Sequence, residues 1–399
     1  MSADPPDPRP PGPRIEAAVD LAAVRHNVAV LAAAAPGAAT MAVVKAEGYG
    51  HGAVPVARAA LEAGARWLGV CTLEEALELR AAGIDAPVLS WLHLPDDDFA
   101  PAVAAGIDLS VASRAHLAAV LAPARRVGRP VRLHLKIDTG LGRNGAAAAD
   151  WPDLLDDAAK AQAEGTAEVV AVWSHLAHAD EPAHPMLDVQ AARLTAAWRA
   201  AVDRGLTPIR HLANSAATLT RPDLHFDLVR PGIAVYGLDP LGRPVADGPL
   251  RPAMTLSARV ALVKRVPAGE GVSYGHAWTA PADTTLALVP VGYADGVPRR
   301  LNFAGRMRVL LGGRLRPVVG RVCMDQVVVD CGADGGGVAV GDRAVLFGPG
   351  DRGEPTAQDW ADELGTIHYE VVTGVHGRRV QRTVSDPAVG TAGSTGQRS

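Results

Sequence analysis

The sequence predicts an α/β chain in two parts: a (β/α)8, TIM-type barrel over residues 15–240, then an all-β domain over residues 241–384. Three observations carry this expectation. Eight short apolar strands alternate with alanine-rich helices between residues 41 and 229, the rhythm of a barrel whose usual size is about 250 residues. After Gly237 the helical periodicity stops, and β-rich runs separated by Gly, Pro and Asp turns take over. The turn after the first strand also lacks the G-x-G-x-x-G that an open doubly wound sheet would want there. At 399 residues the chain is too long for one ordinary domain.

Taken in order, residues 1–14 are proline-rich and read as a disordered tail. Residues 15–35 read as mostly helical, because Leu21, Val24, Val28 and Leu31 share a face and Asp20 fits an N-cap. The barrel strands are expected at 41–44, 67–70, 88–91, 109–111, 131–137, 169–174, 209–212 and 228–229. Thr72-Leu73-Glu74-Glu75 is a capping box that opens a helix, with Gly83 at its stop. Further helices are expected near 113–121, 150–164 and 185–204. In the second domain the strands are expected at 255–266, 284–291, 307–311, 316–319, 326–329 and 343–347, with a short helix near 356–364. Residues 385–399, rich in Gly, Ser and Thr, read as a second disordered tail.

Composition excludes several functions. The net charge of −4 and pI near 6.4 leave no electrostatic footprint for nucleic acid, and no basic run suggests an anionic membrane surface. No apolar stretch is long enough to span a bilayer. Cys71, Cys323 and Cys331 form no C-x-x-C pair, so neither a disulfide framework nor a thiolate metal site is indicated. The proline-rich N-terminus has no apolar signal region. A cytoplasmic protein is the expectation, and no metal is expected, because His178 and His184 near His175 show no convincing ligand spacing.

The chemistry gathers at strand ends. In a barrel of this kind the active site lies at the C-terminal rim of the strands. The first strand ends in Lys45, in a chain that otherwise prefers arginine and keeps lysine only at positions 136, 160 and 264. Lysine can lose its proton and bond a carbonyl carbon, which arginine cannot. The fifth strand runs into KIDTGLGRNG, with Lys136, Asp138 and Arg143. The sixth runs into WSHLAHAD with His175, and the seventh into HLANSAA with His211, Asn214 and Ser215. The eighth runs into RPGIAVYG with Arg230, Gly232 and Ile233. These residue types suit a phosphate and an aromatic ring. Ser215 and the N–H groups near Gly232 and Ile233 could cradle the phosphate, and His175 could stack on the ring. Arg230 could reach a ring nitrogen, and Lys45 would hold pyridoxal 5'-phosphate (PLP) covalently.

Eight motifs in order, AVVKAEGYGHG, KIDTGLGRNG, HLANSAA, RPGIAVYG, VSYGH, GYADG, GRVCMDQ and IHYEVVT, together resemble the bacterial alanine racemases, PLP enzymes built as a barrel plus a β domain. The resemblance spans Lys45 to Thr373 and implies interconversion of L- and D-alanine by two opposed bases, supplying D-alanine for peptidoglycan. It makes Lys45 the base for D-alanine and Tyr274 the base for L-alanine. Both side-chain types have reference pKa values near 10, so both need cationic surroundings to work near neutral pH. It implies that His175, His211 and Arg230 form the hydrogen-bonded chain that favours a phenolate at Tyr274. It places Arg230 at the ring nitrogen, where many PLP enzymes have an acid, so that the nitrogen stays unprotonated and transamination is suppressed. It makes Arg143 and Met324 substrate contacts, with Asp325 beside them. Lys136, N-carboxylated in many members, would position Arg143. Tyr49, Ser215, Gly232, Ile233 and Tyr369 match phosphate-binding positions, while Tyr293, Tyr369, Arg299 and Arg321 match the substrate entry channel. A head-to-tail homodimer is implied, with Tyr274 reaching the other subunit's site. Two enzyme alternatives, a racemase of serine and a basic amino-acid decarboxylase, share the architecture; the decarboxylase would want an acid in place of Arg230. A PLP carrier on a lone barrel would lack the β domain.

Overall fold

The computed structural model describes residues 12–386. They divide into two compact units, one of residues 20–253 and one of residues 12–19 with 254–385; Asp386, held by Arg25 at 2.6 and 3.0 Å, groups with the first.

The first unit is a closed parallel barrel of eight strands: β2 (Ala39–Val43), β3 (Trp67–Val70), β4 (Val88–Ser90), β5 (Asp108–Val111), β6 (Val131–Lys136), β7 (Ala167–Trp173), β8 (Ile209–His211) and β9 (Leu228–Val229), with β9 pairing back onto β2. All eight expected strands are present, with ends shifted by one or two residues. The Thr72 capping box forms, Glu75 answering Thr72, and Gly83 follows the helix end at φ 76°. The strand faces alternate. On β6, Val131, Leu133 and Leu135 alternate with Arg132, His134 and Lys136, and it is this second, polar set that meets residues of other strands.

The second unit is a nine-stranded sheet. Its strands are β1 (Ile15–Asp20), β10 (Met254–Arg259), β11 (Leu262–Val266), β14 (Thr284–Val289), β15 (Arg308–Leu311), β16 (Arg314–Val319), β17 (Val327–Asp330), β18 (Arg343–Phe347) and β19 (Val380–Ser385). They run in the order β11-β14-β17-β16-β15-β18-β10-β1-β19, beside a small hairpin of β12 (Gly271–Val272) and β13 (Trp278–Thr279). The helix Ala357–Leu364 forms where expected, capped by Thr356 and Asp359.

Three expectations are corrected. Residues 15–20 are a strand, not the start of a helix; the helix begins at Leu21 behind the Asp20 cap. Ile15, Ala17 and Val19 are fully buried while Glu16 and Ala18 are not, a period of two that the alanines concealed. The strand pairs antiparallel with β10, Ile15 opposite Ala258, so it belongs to the β unit and not to the barrel. The barrel unit in turn runs on to Ala253, because buried Asn27 bonds both backbone groups of Arg251 at 2.8 and 2.9 Å. The expected tails lie outside the described residues except for 12–14, 385 and 386, and Ser385 ends β19 rather than opening a tail.

Candidate active site

Lys45 lies just past β2, at the head of a left-handed turn. Ala46, Glu47, Gly48, Tyr49 and Gly50 all have positive φ, at 52°, 55°, 60°, 51° and 81°. For the three residues here that are not glycine this costs about 1–2 kcal/mol each. Three groups of bonds hold the turn. Gly48 and Gly50 N–H donate to the carbonyls of Val44 and Ala46 at 2.9 and 3.0 Å. The Glu75 carboxylate accepts from Ala46 N–H at 2.7 Å, and from Cys71 N–H at 2.7 Å. Buried Tyr49 packs 4.9 Å from the ring of Tyr236, whose hydroxyl donates to the Val43 carbonyl at 2.9 Å. Strain of this kind survives only where neighbours over-determine it, and it concentrates at functional sites. The Lys45 amine sits 5.9 Å from the centre of the Trp91 ring.

Arg230 follows β9 and is buried, and among the described residues no carboxylate is bonded to it. Its guanidinium donates to the Ser174 and Leu212 carbonyls at 2.9 and 3.1 Å, to His211 Nδ1 at 2.8 Å and to His175 Nδ1 at 3.3 Å. It also lies 4.7 Å from the centre of the Trp173 ring. Burial pulls its pKa down to about 9, which leaves it a cation at neutral pH. Bonds to a charged donor are worth roughly 1.5–3 kcal/mol each and offset much of that burial. His175 and His211 are held well below the ordinary imidazole range, first by burial and then by Arg230. Both are neutral near pH 7.

Lys136, at the end of β6, is buried and 4.3 Å from the centre of the same Trp173 ring. Burial, then Arg230 and Arg143, pull its pKa down to about 7. Arg143 is exposed on the following loop, which Asp138 pins by accepting from the N–H groups of Gly140, Leu141 and Gly142 at 2.8 to 3.2 Å. Ser215 Oγ accepts from the N–H groups of Gly232 and Ala234 at 2.8 and 3.3 Å. A Cβ on Gly232 would fall 2.4 Å from the Tyr49 hydroxyl, so that hydroxyl and these amides converge only because the position is glycine. Ile233 is buried next to them. Asn214 caps its own helix, accepting from Ala217 N–H at 3.2 Å.

The remaining expected residues belong to the β unit. Tyr274 stands in the turn of the β12–β13 hairpin and is 71% exposed. Its neighbours Ser273, Gly275 and His276 have φ of 65°, 68° and 44°, and Ser273 Oγ anchors the turn by donating to the Arg321 carbonyl at 3.1 Å. The loop of Met324 is stitched to that of Tyr293: Tyr293 and Ala294 N–H donate to the Cys323 and Met324 carbonyls at 3.1 and 3.0 Å. Asp325 accepts from Arg379 at 2.7 Å, and the same guanidinium holds buried Asp295 at 2.9 Å. Tyr369 is half-buried on the helix His368–Thr373.

Trp91, Trp173, His134 and Asp108 escaped the reading of the sequence. The signal for His134 was present in VRLHLK, where it stands two residues before Lys136 and so shares its face. Among the described residues His178, Glu181 and His184 also offer three ligand-type atoms within 4.8 Å of one another. The two imidazoles stack in parallel at 3.7 Å, His178 Nδ1 is bonded to Glu181 and His184 Nδ1 accepts from Met186 N–H. Their in-plane lone pairs therefore do not converge on one point.

Comparison with known proteins decides the family. Residues 19–240 match the family described as alanine racemase, N-terminal domain, and residues 253–384 match alanine racemase, C-terminal domain. The chain belongs to the alanine racemase family. Members are PLP-dependent isomerases. The chain is 59% identical to the alanine racemase of Frankia casuarinae over 92% of its own length and 95% of that protein's. To that of Salinispora arenicola it is 58% identical over 92% and 97%. The crystal structure of alanine racemase from D-cycloserine-producing Streptomyces lavendulae superposes with a TM-score of 0.89 at 53% identity, covering 94% of this chain and 98% of that one. The alanine racemase of Bartonella henselae, solved with covalently bound pyridoxal phosphate, superposes with a TM-score of 0.81 at 29% identity, covering 94% and 100%.

Proposed function

We propose that Lys45 and Tyr274 are the two proton-carrying groups with which this chain interconverts L- and D-alanine, Lys45 acting on D-alanine and Tyr274 on L-alanine. The observation that carries this reading is the strained turn that fixes Lys45 at a strand end beside a surplus of cations. Arg230, Arg143 and Lys45 all act on Lys136, with Asp138 as the one acid among its principal influences. Such a donor set fits an anionic, phosphorylated aromatic group, and the close packing of Tyr49 on Gly232 supports a cradle for its phosphate. Bound PLP supplies the electron sink that makes the α-proton of an amino acid acidic.

The chain's own residues do the rest. Lys45 would hold the cofactor through its amine. Ser215, Tyr49, Tyr369 and the backbone of Gly232 and Ile233 would hold the phosphate, with Asn214 shaping the helix start that presents Ser215. His175 would stack on the ring. Arg230 would donate to the ring nitrogen, and a guanidinium there would keep that nitrogen unprotonated. Arg143 and Met324 bind the substrate carboxylate, flanked by Asp325, while Tyr293 narrows the approach to small amino acids. Lys136 is poised to take up CO2, because a pKa near 7 leaves much of its amine neutral and nucleophilic; as a carbamate it would attract Arg143.

Two opposed bases need two faces of one planar carbon. The exposure of Tyr274 supports a head-to-tail homodimer in which a second copy supplies that phenol, with His175, Arg230 and His211 favouring its deprotonated form. The three cysteines form no disulfide, which suits the reducing cytoplasm, where D-alanine is made for peptidoglycan. Exchange of the α-proton in D2O tests the assignment. Tyr274→Phe should slow exchange from L-alanine by about a hundredfold or more and leave exchange from D-alanine much less affected. Equal slowing of both would overturn it.

A further inference from the structure

A buried line of hydrogen bonds runs from Arg230 down through the barrel. His211 Nδ1 receives from Arg230 at 2.8 Å. His211 Nε2 lies 2.9 Å from His134 Nδ1, His134 Nε2 lies 3.2 Å from Asp108 Oδ2, and Asp108 Oδ1 accepts from Arg132 Nε at 2.7 Å. Asp108, His134 and His211 are each fully buried. They come from three strands: Asp108 opens β5, His134 stands within β6 and His211 ends β8. The line thus spans the barrel from the rim that carries Lys45 and Arg230 to the opposite, N-terminal end. There Arg132 also binds Glu168 at 2.8 and 2.9 Å, beside a cavity of about 300 Å³ lined by Arg80, Arg129, Arg132 and Asp108.

The two ends dictate the direction of every bond between them. A guanidinium only donates and a carboxylate only accepts. Arg230 therefore requires a lone pair on His211 Nδ1, which puts the single proton of a neutral His211 on Nε2. That proton goes to His134 Nδ1, which places the proton of His134 on Nε2, facing Asp108. Burial disfavours a charge on either imidazole, so each carries one proton. Asp108 becomes the nearest anion in line with Arg230, reached through two polarised rings.

We propose that Asp108 and His134 are positioning residues of the racemase: through His211 they give Arg230 an acceptor tied to a buried anion and so hold its charge at the cofactor ring. This rests on the reading that Arg230 faces that ring. In a catalytic triad, replacing the carboxylate that sets a histidine tautomer costs about ten-thousandfold when the imidazole itself touches the reacting atoms. Here the carboxylate is two rings further away, and the expected effect is smaller.

The test is 15N-histidine NMR of the holoenzyme at neutral pH, with signals assigned by His134→Gln and His211→Gln. Wild-type His134 and His211 should both be neutral and protonated on Nε2. An asparagine at 108 can still accept from His134 through its amide oxygen but carries no charge. With Arg230 still donating to His211, Asp108→Asn should leave both tautomers as they are, but by removing the anion it should shift the absorbance of the bound cofactor and lower kcat about tenfold with KM little changed. The proposal is overturned if wild-type His211 carries its proton on Nδ1 or on both nitrogens, or if Asp108→Asn leaves absorbance and kcat as they were. Should that variant not fold, the wild-type tautomers decide alone. They are read without reference to Tyr274, so this inference and the two-base assignment can fail separately.

Discussion

Most of the expected site residues of the barrel are buried, and most of those of the β unit are exposed. In the barrel Lys136, His211 and Arg230 are buried at strand ends, and Arg230 makes four bonds at 2.8 to 3.3 Å. In the β unit Tyr274, Met324 and Tyr293 are exposed, at 71%, 53% and 40%, on turns fixed mainly through their backbones. Groups on rigid strands with locked rotamers are pre-organised, and their charge is set by burial. An exposed phenol on a hairpin turn is aimed by its backbone but owes its chemistry to whatever it docks against. The contrast suits the proposed reaction, in which one subunit prepares the electrostatics and another brings the second base.

The comparison can be sharpened by altering charge on the barrel side. The largest effect is expected for Arg230→Glu, which replaces a donor-only cation with an acid at the proposed ring contact. Racemisation should fall about a thousandfold, while transamination of alanine, followed as pyruvate release, rises relative to it. A fall in both by the same factor would show that Arg230 merely holds the barrel together. A smaller effect is expected for Lys136→Ala. Loss of the group proposed to position Arg143 should raise KM for alanine about ten- to a hundredfold. In the wild type the Lys136 amine gains its proton as pH falls through about 7. Protonation blocks uptake of CO2 and adds a cation beside Arg143, so KM should rise on the acid side of pH 7. The variant should lose that rise, and a steep acid rise persisting in Lys136→Ala would assign it to another group.

Much of this arrangement was legible in the residues. Strand rhythm marked the barrel, and strand-end positions marked Lys45, Lys136, His175, His211 and Arg230, because in this architecture the rim is where polar side chains have a use. Two things were not legible. The strand Ile15–Asp20 pairs with residues more than 200 positions away, and local periodicity carries no information about such a partner. Asp108 and His134 each look like a polar interruption of an apolar strand. Their role emerges only when barrel closure places β5, β6 and β8 around one interior, where an acid and two imidazoles can satisfy one another. The left-handed sense of the turn after Lys45 was equally hidden, since Ala46, Glu47 and Tyr49 are not residues that announce positive φ.

Whether the two halves of the site come from two chains can be read by mixing dead subunits. Lys45→Ala and Tyr274→Phe should each be nearly inactive in racemisation alone. After the two are unfolded, mixed in equal amounts and refolded, half of the dimers carry one of each. In a head-to-tail dimer each mixed pair holds one site with both changes and one with neither, so activity should recover to about a quarter of wild type. If Lys45 and Tyr274 served one site from a single chain, every site would remain damaged. The mixture would then stay as inactive as its parts.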